Sequence, residues 1–290
     1  MQQTDIFVHG AFIWDPDWWW RPVAERLLEH SIPSYTLQLP SCGPEPTLGD
    51  LYADVAAVRN AIDKIDGPVI LIGHSYGGIV ITEAAAGHSK VRHLVYMSAF
   101  VPDGTSAVAS DFTNPDDMRS FDLAFGGRGV RAWLGSRMLE LTRGRANSWM
   151  IPFVKRTDLI GRLSSSFVCW MSGGGYATGG EGGTKAYLLQ ALPDPELVSG
   201  SLRRLTRQSA EAGLQAPRAA AWKQIPSTFF VILNDLDVSV ERQRRHARRC
   251  THVVELPTNH FAHLERPDLV CKALVDVVER VTEPQGVTSI

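Results

Sequence analysis

Val69-Ile70-Leu71-Ile72 are four aliphatic residues in a row, and they lead straight into Gly73-His74-Ser75-Tyr76-Gly77-Gly78. A short, wholly apolar run of this kind reads as a strand buried on both faces, the signature of a parallel sheet. Beyond its opening glycines, the stretch from Tyr76 through Ala86 is poor in breakers and reads as a helix. A strand that becomes a helix within a few residues must bend sharply. Glycines on either side of the serine let neighbouring elements approach that bend closely. The serine at its apex is held in a strained backbone conformation with its hydroxyl in the open. The same turn therefore predicts a layered α/β architecture and a nucleophile, Ser75.

The rest of the first hundred residues keeps this alternation. Asp5-Ile6-Phe7-Val8 reads as a strand, Pro22 to Leu28 as a helix with proline in its first turn, and Ser34 to Leu39 as a strand closed by Pro40. Leu48, Leu51, Val55, Val58, Ile62 and Ile65 recur at steps of three and four, one face of an amphipathic helix. Leu94-Val95-Tyr96-Met97 is the next strand. Such βαβα order predicts an α/β fold with a mainly parallel sheet flanked by helices.

The pattern changes after Val101-Pro102-Asp103-Gly104. Residues 104–225 show helical stretches, among them Val130 to Leu141 and Glu196 to Ser209, but no convincing strand. They also contain a glycine-rich stretch, 173–183, which lacks phosphate-loop spacing and reads as a mobile loop. Alternation resumes with strand Thr228 to Leu233, helix Val240 to Arg249, strand Thr251 to Leu256 and a closing amphipathic helix. The expected organisation is a core domain made of residues 1–103 and 226–290, interrupted by a helical cap insert, 104–225.

Composition narrows the function classes. The 290 residues are 44% hydrophobic and 21% charged, ordinary for a globular chain with a sizeable core. A formal net charge of -2 gives no reason to expect nucleic acid or an anionic membrane as partner. No apolar window is long enough to span a bilayer, and Met1 to Asp5 lack the basic start of a signal peptide. Four scattered cysteines (Cys42, Cys169, Cys250, Cys271) predict buried thiols in a cytoplasmic protein. No His-Glu-x-x-His or comparable spacing predicts a metal, and none of these motifs calls for a cofactor. Arg242, Arg244, Arg245, Arg248 and Arg249 read as a solvated helical face. Trp14, Trp18, Trp19 and Trp20 read as packing for the first helix. In the insert, Trp133, Trp149 and Trp170 are candidates to line an apolar cavity. The oligomeric state stays open, a homodimer included.

A serine hydroxyl attacks a carbonyl only with a histidine to take its proton, a carboxylate to orient that histidine, and donors for the oxyanion. His260 lies in the loop after the last strand, where a parallel sheet puts its functional edge. His263 is the competing histidine and reads as a structural neighbour; His9 reads as a brace for its own loop. Asp235 and Asp237 both follow the preceding strand, with Asp235 nearer its end, and Asp103 follows another strand end. If Asp235 is the acid, Asp237 falls to a capping or solvated role. The expected oxyanion donors are the backbone amides of Tyr76, at the start of the helix after Ser75, and Ala11, in the loop His9-Gly10-Ala11-Phe12. Phe12 is a candidate substrate contact beside them.

The order Ser75, Asp235, His260, with His-Gly-Ala-Phe early and Gly-His-Ser-Tyr-Gly-Gly at the bend, resembles the α/β-hydrolase superfamily. Within it the chain is similar to the small esterase and hydroxynitrile-lyase-like group. That closer similarity is carried by Trp20 to Leu27, Ser98 to Gly104, Ala221 to Thr228 and His260 to Pro267. The resemblance implies an α/β-hydrolase fold with a cap, and its spacing Asp235-Leu236-Asp237-Val238-Ser239 favours Asp235 as the acid. The function it implies is a serine hydrolase acting on a small apolar carboxylic ester or lactone, with Phe12, Trp133 and Trp170 around the substrate. A triad-bearing lyase or C–C hydrolase, or a small-molecule receptor on the same scaffold, are the competing readings. The insert looks longer and more glycine-rich than the compact cap usual in this group.

Overall fold

A computed structural model describes residues 2–45, 48–104, 176–177, 188, 191–192 and 194–282. The strands among them are β1 (Thr4–Val8), β2 (Ser34–Leu37), β3 (Cys42–Gly43), β4 (Val69–His74), β5 (Val91–Met97), β6 (Tyr176–Ala177), β7 (Arg207–Ser209), β8 (Ser227–Ile232) and β9 (His252–Leu256). The helices are α1 (Pro16–Glu29), α2 (Leu51–Lys64), α3 (Gly77–Ala84), α4 (Pro195–Leu202), α5 (Ala210–Leu214), α6 (Val240–Ala247), α7 (Ala262–Glu265) and α8 (Pro267–Thr282).

Six strands form one parallel sheet in the order β2-β1-β4-β5-β8-β9. The inner strands β4 and β8 are buried along their whole length, and the apolar runs Val69 to Ile72 and Phe229 to Ile232 make up most of each. Side chains alternate between two cores because successive strand residues point to opposite faces. Ile6, Val8, Leu71, Phe229 and Val231 meet α2 and α3 on one face. Phe7, Ile70, Ile72, Phe230 and Ile232 meet α1 and α8 on the other. The order in which strands are added reverses at β1, which pairs in parallel with β2 on one side and β4 on the other. The crevice between the C-terminal ends of β1 and β4 is thus the switch point where such sheets hold their ligands.

Three readings from the sequence are corrected. The first helix starts at Pro16, not Pro22, so Pro22 sits inside it. Burial of Trp19 and Trp20 holds that first turn, with Trp20 stacked on Phe7 at 4.3 Å and 7° and the Trp19 indole N–H donating to the Trp14 carbonyl at 3.0 Å. Strand structure is present within 104–225: β6 and β7 join β3 in a small antiparallel sheet, and the helix expected from Glu196 to Ser209 stops at Leu202. Strands of two or three residues carry too little alternation to be seen in a sequence. Tyr176 and Ala177, within the glycine-rich stretch, pair with Ser209 and Gln208; the rest of 173–183 lies outside the described residues. Arg242 is buried on α6 with its guanidinium 5.8 Å from the Phe100 ring, while Arg244, Arg245, Arg248 and Arg249 are exposed. A helix lying on a sheet turns one face inward whatever its charge, and Arg242 shares that face with Gln243, His246 and Ala247.

The bend after β4 is packed backbone against backbone. A Cβ on Gly73 would meet the Gly77 carbonyl at 2.8 Å, one on Gly77 the Val8 carbonyl at 2.3 Å, and one on Gly78 the Phe100 carbonyl at 2.5 Å. Backbone atoms in a central sheet have nowhere to move. Gly77→Ala is therefore expected to lower stability by about 1–3 kcal/mol, read as a shift of the urea midpoint with an unchanged slope.

Candidate active site

Ser75 directly follows β4 and takes a left-handed φ of 50°. Its amide donates to the Met97 carbonyl at 3.2 Å, and its carbonyl accepts from Gly78 at 3.1 Å and Phe100 at 3.3 Å. These bonds hold a conformation that costs roughly 1–3 kcal/mol for a residue other than glycine. Ser75 is partly exposed where His74 and Tyr76 on either side are buried. The Tyr76 ring turns inward, its hydroxyl donating to Asp54 Oδ2 at 2.7 Å. Asp54 Oδ1 in turn accepts the Ser41 amide at 2.8 Å. Burial, opposed by these bonds, pushes the Asp54 carboxyl up to about 6.

Two loops at the same sheet edge bring Asp235 and His260 together. Asp235 Oδ2 is 2.8 Å from His260 Nδ1, and both side chains are buried. A carboxylate can only accept here, so Nδ1 carries the proton and Nε2 is left to face other groups. Asp235 Oδ1 accepts the amides of Asp237 at 2.7 Å and Val238 at 2.9 Å. Its Oδ2 also accepts from the Ser98 hydroxyl and from Gln243 Nε2 at 3.3 Å. The His260 ring feels burial, which alone would lower its affinity for a proton, but Asp235 and Asp237 reverse this and raise it from 6.5 to about 9.

Ser98 and Gln243 were not singled out from the sequence. Ser98 closes β5 in a left-handed conformation, φ 42°, with its amide bonded to the Phe230 carbonyl at 3.1 Å. Its place at a strand end was visible, but nothing local says where its hydroxyl goes. Gln243 pins the Asp235 loop by donating to the Val238 carbonyl at 2.8 Å and exchanging bonds with Ile232. Asp237, assigned a capping or solvated role from sequence, places Oδ2 3.7 Å from His260 Nε2; the cap of α6 is Ser239.

Behind His260 stands a column of rings. His74 Nε2–H donates to the His260 carbonyl at 2.9 Å, and the two rings are 4.6 Å apart. His263 packs against His74 at 4.9 Å and stacks on Trp20 at 4.5 Å. Burial first, then the positive tendency of His260, pushes His263 down to about 3 and His74 well below its usual value. Both are neutral supports.

On the other side of Ser75, His9 ties down the loop after β1. Its Nε2 accepts the Leu39 amide at 3.0 Å, which leaves Nδ1 to donate to the Gly10 carbonyl at 2.7 Å. Burial pushes this ring down to about 4, keeping it neutral. Gly10 lies against the bend: a Cβ there would be 3.1 Å from Ser75 Cβ. Among the described residues, no backbone acceptor faces the Ala11 or Tyr76 amide. Phe12 has φ 62°, its carbonyl accepts the Thr206 amide at 2.8 Å, and Ile13 bridges Leu205. Trp133, Trp149 and Trp170 lie outside the described residues. Among the described residues, no cluster of three or more His, Cys, Asp or Glu could hold a metal ion.

A parallel sheet with a serine at a strained strand-to-helix bend, and a buried carboxylate–imidazole pair on the same edge, defines the α/β hydrolase architecture. The α/β hydrolase family model matches residues 6–273, and the chain belongs to that family. It is 23% identical over 269 residues to the α/β hydrolase nvfD of Aspergillus novofumigatus, covering 87% of this chain and 88% of that protein. Over 113 residues it is 39% identical to a carbendazim-hydrolysing esterase of a Nocardioides species, 36% of this chain and 45% of that one. Among solved structures, polyneuridine aldehyde esterase superposes with a TM-score of 0.70 at 17% identity, over 96% of this chain and 100% of its own.

Two outcomes follow for stability. Ser98→Ala removes a hydrogen bond to a buried carboxylate and is expected to cost about 1.5–3 kcal/mol in urea unfolding. Because the folded His260 value of about 9 lies above its ordinary 6.5, its contribution is fully present below pH 6.5 and is lost as pH rises through about 9. Urea titrations at a series of pH values should show that declining limb in the wild type and lose it in His260→Gln.

Proposed function

We propose that this protein is a serine esterase that cleaves a carboxylic ester or lactone with an apolar moiety. The observation that carries the reading is the buried Asp235–His260 pair at 2.8 Å on the sheet edge that also presents Ser75. Ser75 Oγ attacks the substrate carbonyl carbon while His260 Nε2 takes its proton. Asp235 keeps the ring in the Nδ1–H tautomer and stabilises the imidazolium. The Ala11 and Tyr76 amides receive the developing oxyanion, each worth about 3 kcal/mol in the transition state. His260 then protonates the leaving alcohol, and in the second half-reaction activates the water that releases the acid.

The esterases named among the relatives support ester chemistry. The left-handed Phe12, fixed by Thr206, supports an oxyanion loop organised in part by the returning end of the insert. We assign residues 1–103 and 226–290 to the core and 104–225 to a cap over the Ser75 edge, with Phe12, Trp133 and Trp170 around the apolar part of the substrate. Cys42, Cys250 and Cys271 are free thiols, which fits a reducing compartment such as the cytoplasm.

An activated-ester assay with a fluorophosphonate label tests the proposal. Ser75→Ala and His260→Ala should each lower kcat by several orders of magnitude, up to roughly a millionfold, and Ser75→Ala should abolish labelling. Labelling that persists in Ser75→Ala would remove Ser75 from the mechanism.

A further inference from the structure

We propose that Asp237 is a second carboxylate partner of His260, acting on Nε2 and favouring the charged imidazole, so that base catalysis sets in at higher pH than Asp235 alone would dictate. This rests on the reading of His260 as the base for Ser75. The geometry is two-sided: Asp235 Oδ2 is 2.8 Å from Nδ1, and Asp237 Oδ2 is 3.7 Å from Nε2. Asp237 is held there by the turn that Asp235 organises, because Asp235 Oδ1 accepts the Asp237 and Val238 amides.

Among the described residues, four elements bring polar or titratable groups towards the His260 ring. The loop after β8 supplies Asp235 and Asp237, the end of β5 supplies the neutral Ser98 hydroxyl, the end of β4 supplies His74, and α7 supplies His263. His74 and His263 are neutral, since burial pushes both down. Among the described residues, the charges facing this ring are therefore the two carboxylates. Asp235 and then Asp237 are the charges that raise His260 to about 9 against the effect of burial.

The chemical consequence runs both ways. An imidazolium whose Nε2 is protonated cannot accept the Ser75 proton, so it must first release that proton to solvent. Once neutral, it takes the Ser75 proton onto Nε2 as the Oγ–carbon bond forms, and Asp237 stabilises the cation that results. Asp237 thus lowers the fraction of active enzyme at neutral pH and makes the active fraction a stronger base.

The experiment is the pH dependence of fluorophosphonate labelling and of kcat/KM for wild type, Asp237→Asn, Asp237→Ser and Asp237→Glu, with folding checked by urea denaturation and Ser75→Ala as control. In Asp237→Asn and Asp237→Ser the acid limb should move down by about one unit or more. Labelling at pH 7 should then be faster than wild type, by up to about tenfold for each unit the limb moves less the fall in plateau rate, one pKa unit being a factor of ten. On the alkaline plateau both variants should be slower, so the profiles cross; Asp237→Glu should keep the wild-type limb. A limb that stays in place in the folded variants, or a rate that changes by one factor at every pH, would overturn the proposal. Labelling that survives in Ser75→Ala would instead overturn the esterase reading, and this inference with it.

Discussion

The Asp235 carboxylate is the junction on which the site depends. It accepts the Ser98 hydroxyl from the end of β5, the Gln243 amide from α6, two backbone amides from its own loop, and the His260 ring from the loop after β9. A buried carboxylate is costly unless its oxygens are satisfied, and once satisfied it fixes the position of every donor it holds. Three segments distant in sequence are tied at one point, and the imidazole is oriented by what surrounds the acid.

The bend that carries Ser75 depends on a different constraint, the absence of side chains. Gly73, Gly77 and Gly78 let the ends of β1, β4 and β5 close on one another at backbone contact, and Gly10 brings the loop after β1 against Ser75 itself. His9 and His74 then work as neutral struts, one to the Gly10 carbonyl and one to the His260 carbonyl. The column of His74, His263, Trp20 and Phe7 carries that support back to the sheet. Trp19 and Trp20 of α1 therefore support the site from behind, through Phe261 and His263.

Much of the scaffold was legible because long, strongly patterned segments report themselves. The apolar runs within β4 and β8 and the three-and-four spacing of α2 need no tertiary help to be read. The start of α1 was missed because Pro22 looks like a first-turn residue, whereas burial of Trp19 and Trp20 extends the helix back to Pro16. β3, β6 and β7 are too short for a period of two to register, and they exist through pairing with one another. Arg242 defeated charge-based reasoning for a similar reason: which face of α6 turns inward is decided by the sheet it lies on.

The sequence alone determined the α/β architecture, the strained turn around Ser75, and a short list of acids and histidines at the ends of β8 and β9. It did so because these features are local: hydrophobic period, glycine placement, and position relative to a strand end. Tertiary structure decided that Asp235 meets Nδ1 of His260 while Asp237 comes to Nε2, that Ser98 and Gln243 secure the acid, and that His9 and His74 are neutral braces. Those assignments depend on which segments the parallel sheet sets side by side, a long-range arrangement that no window of sequence encodes.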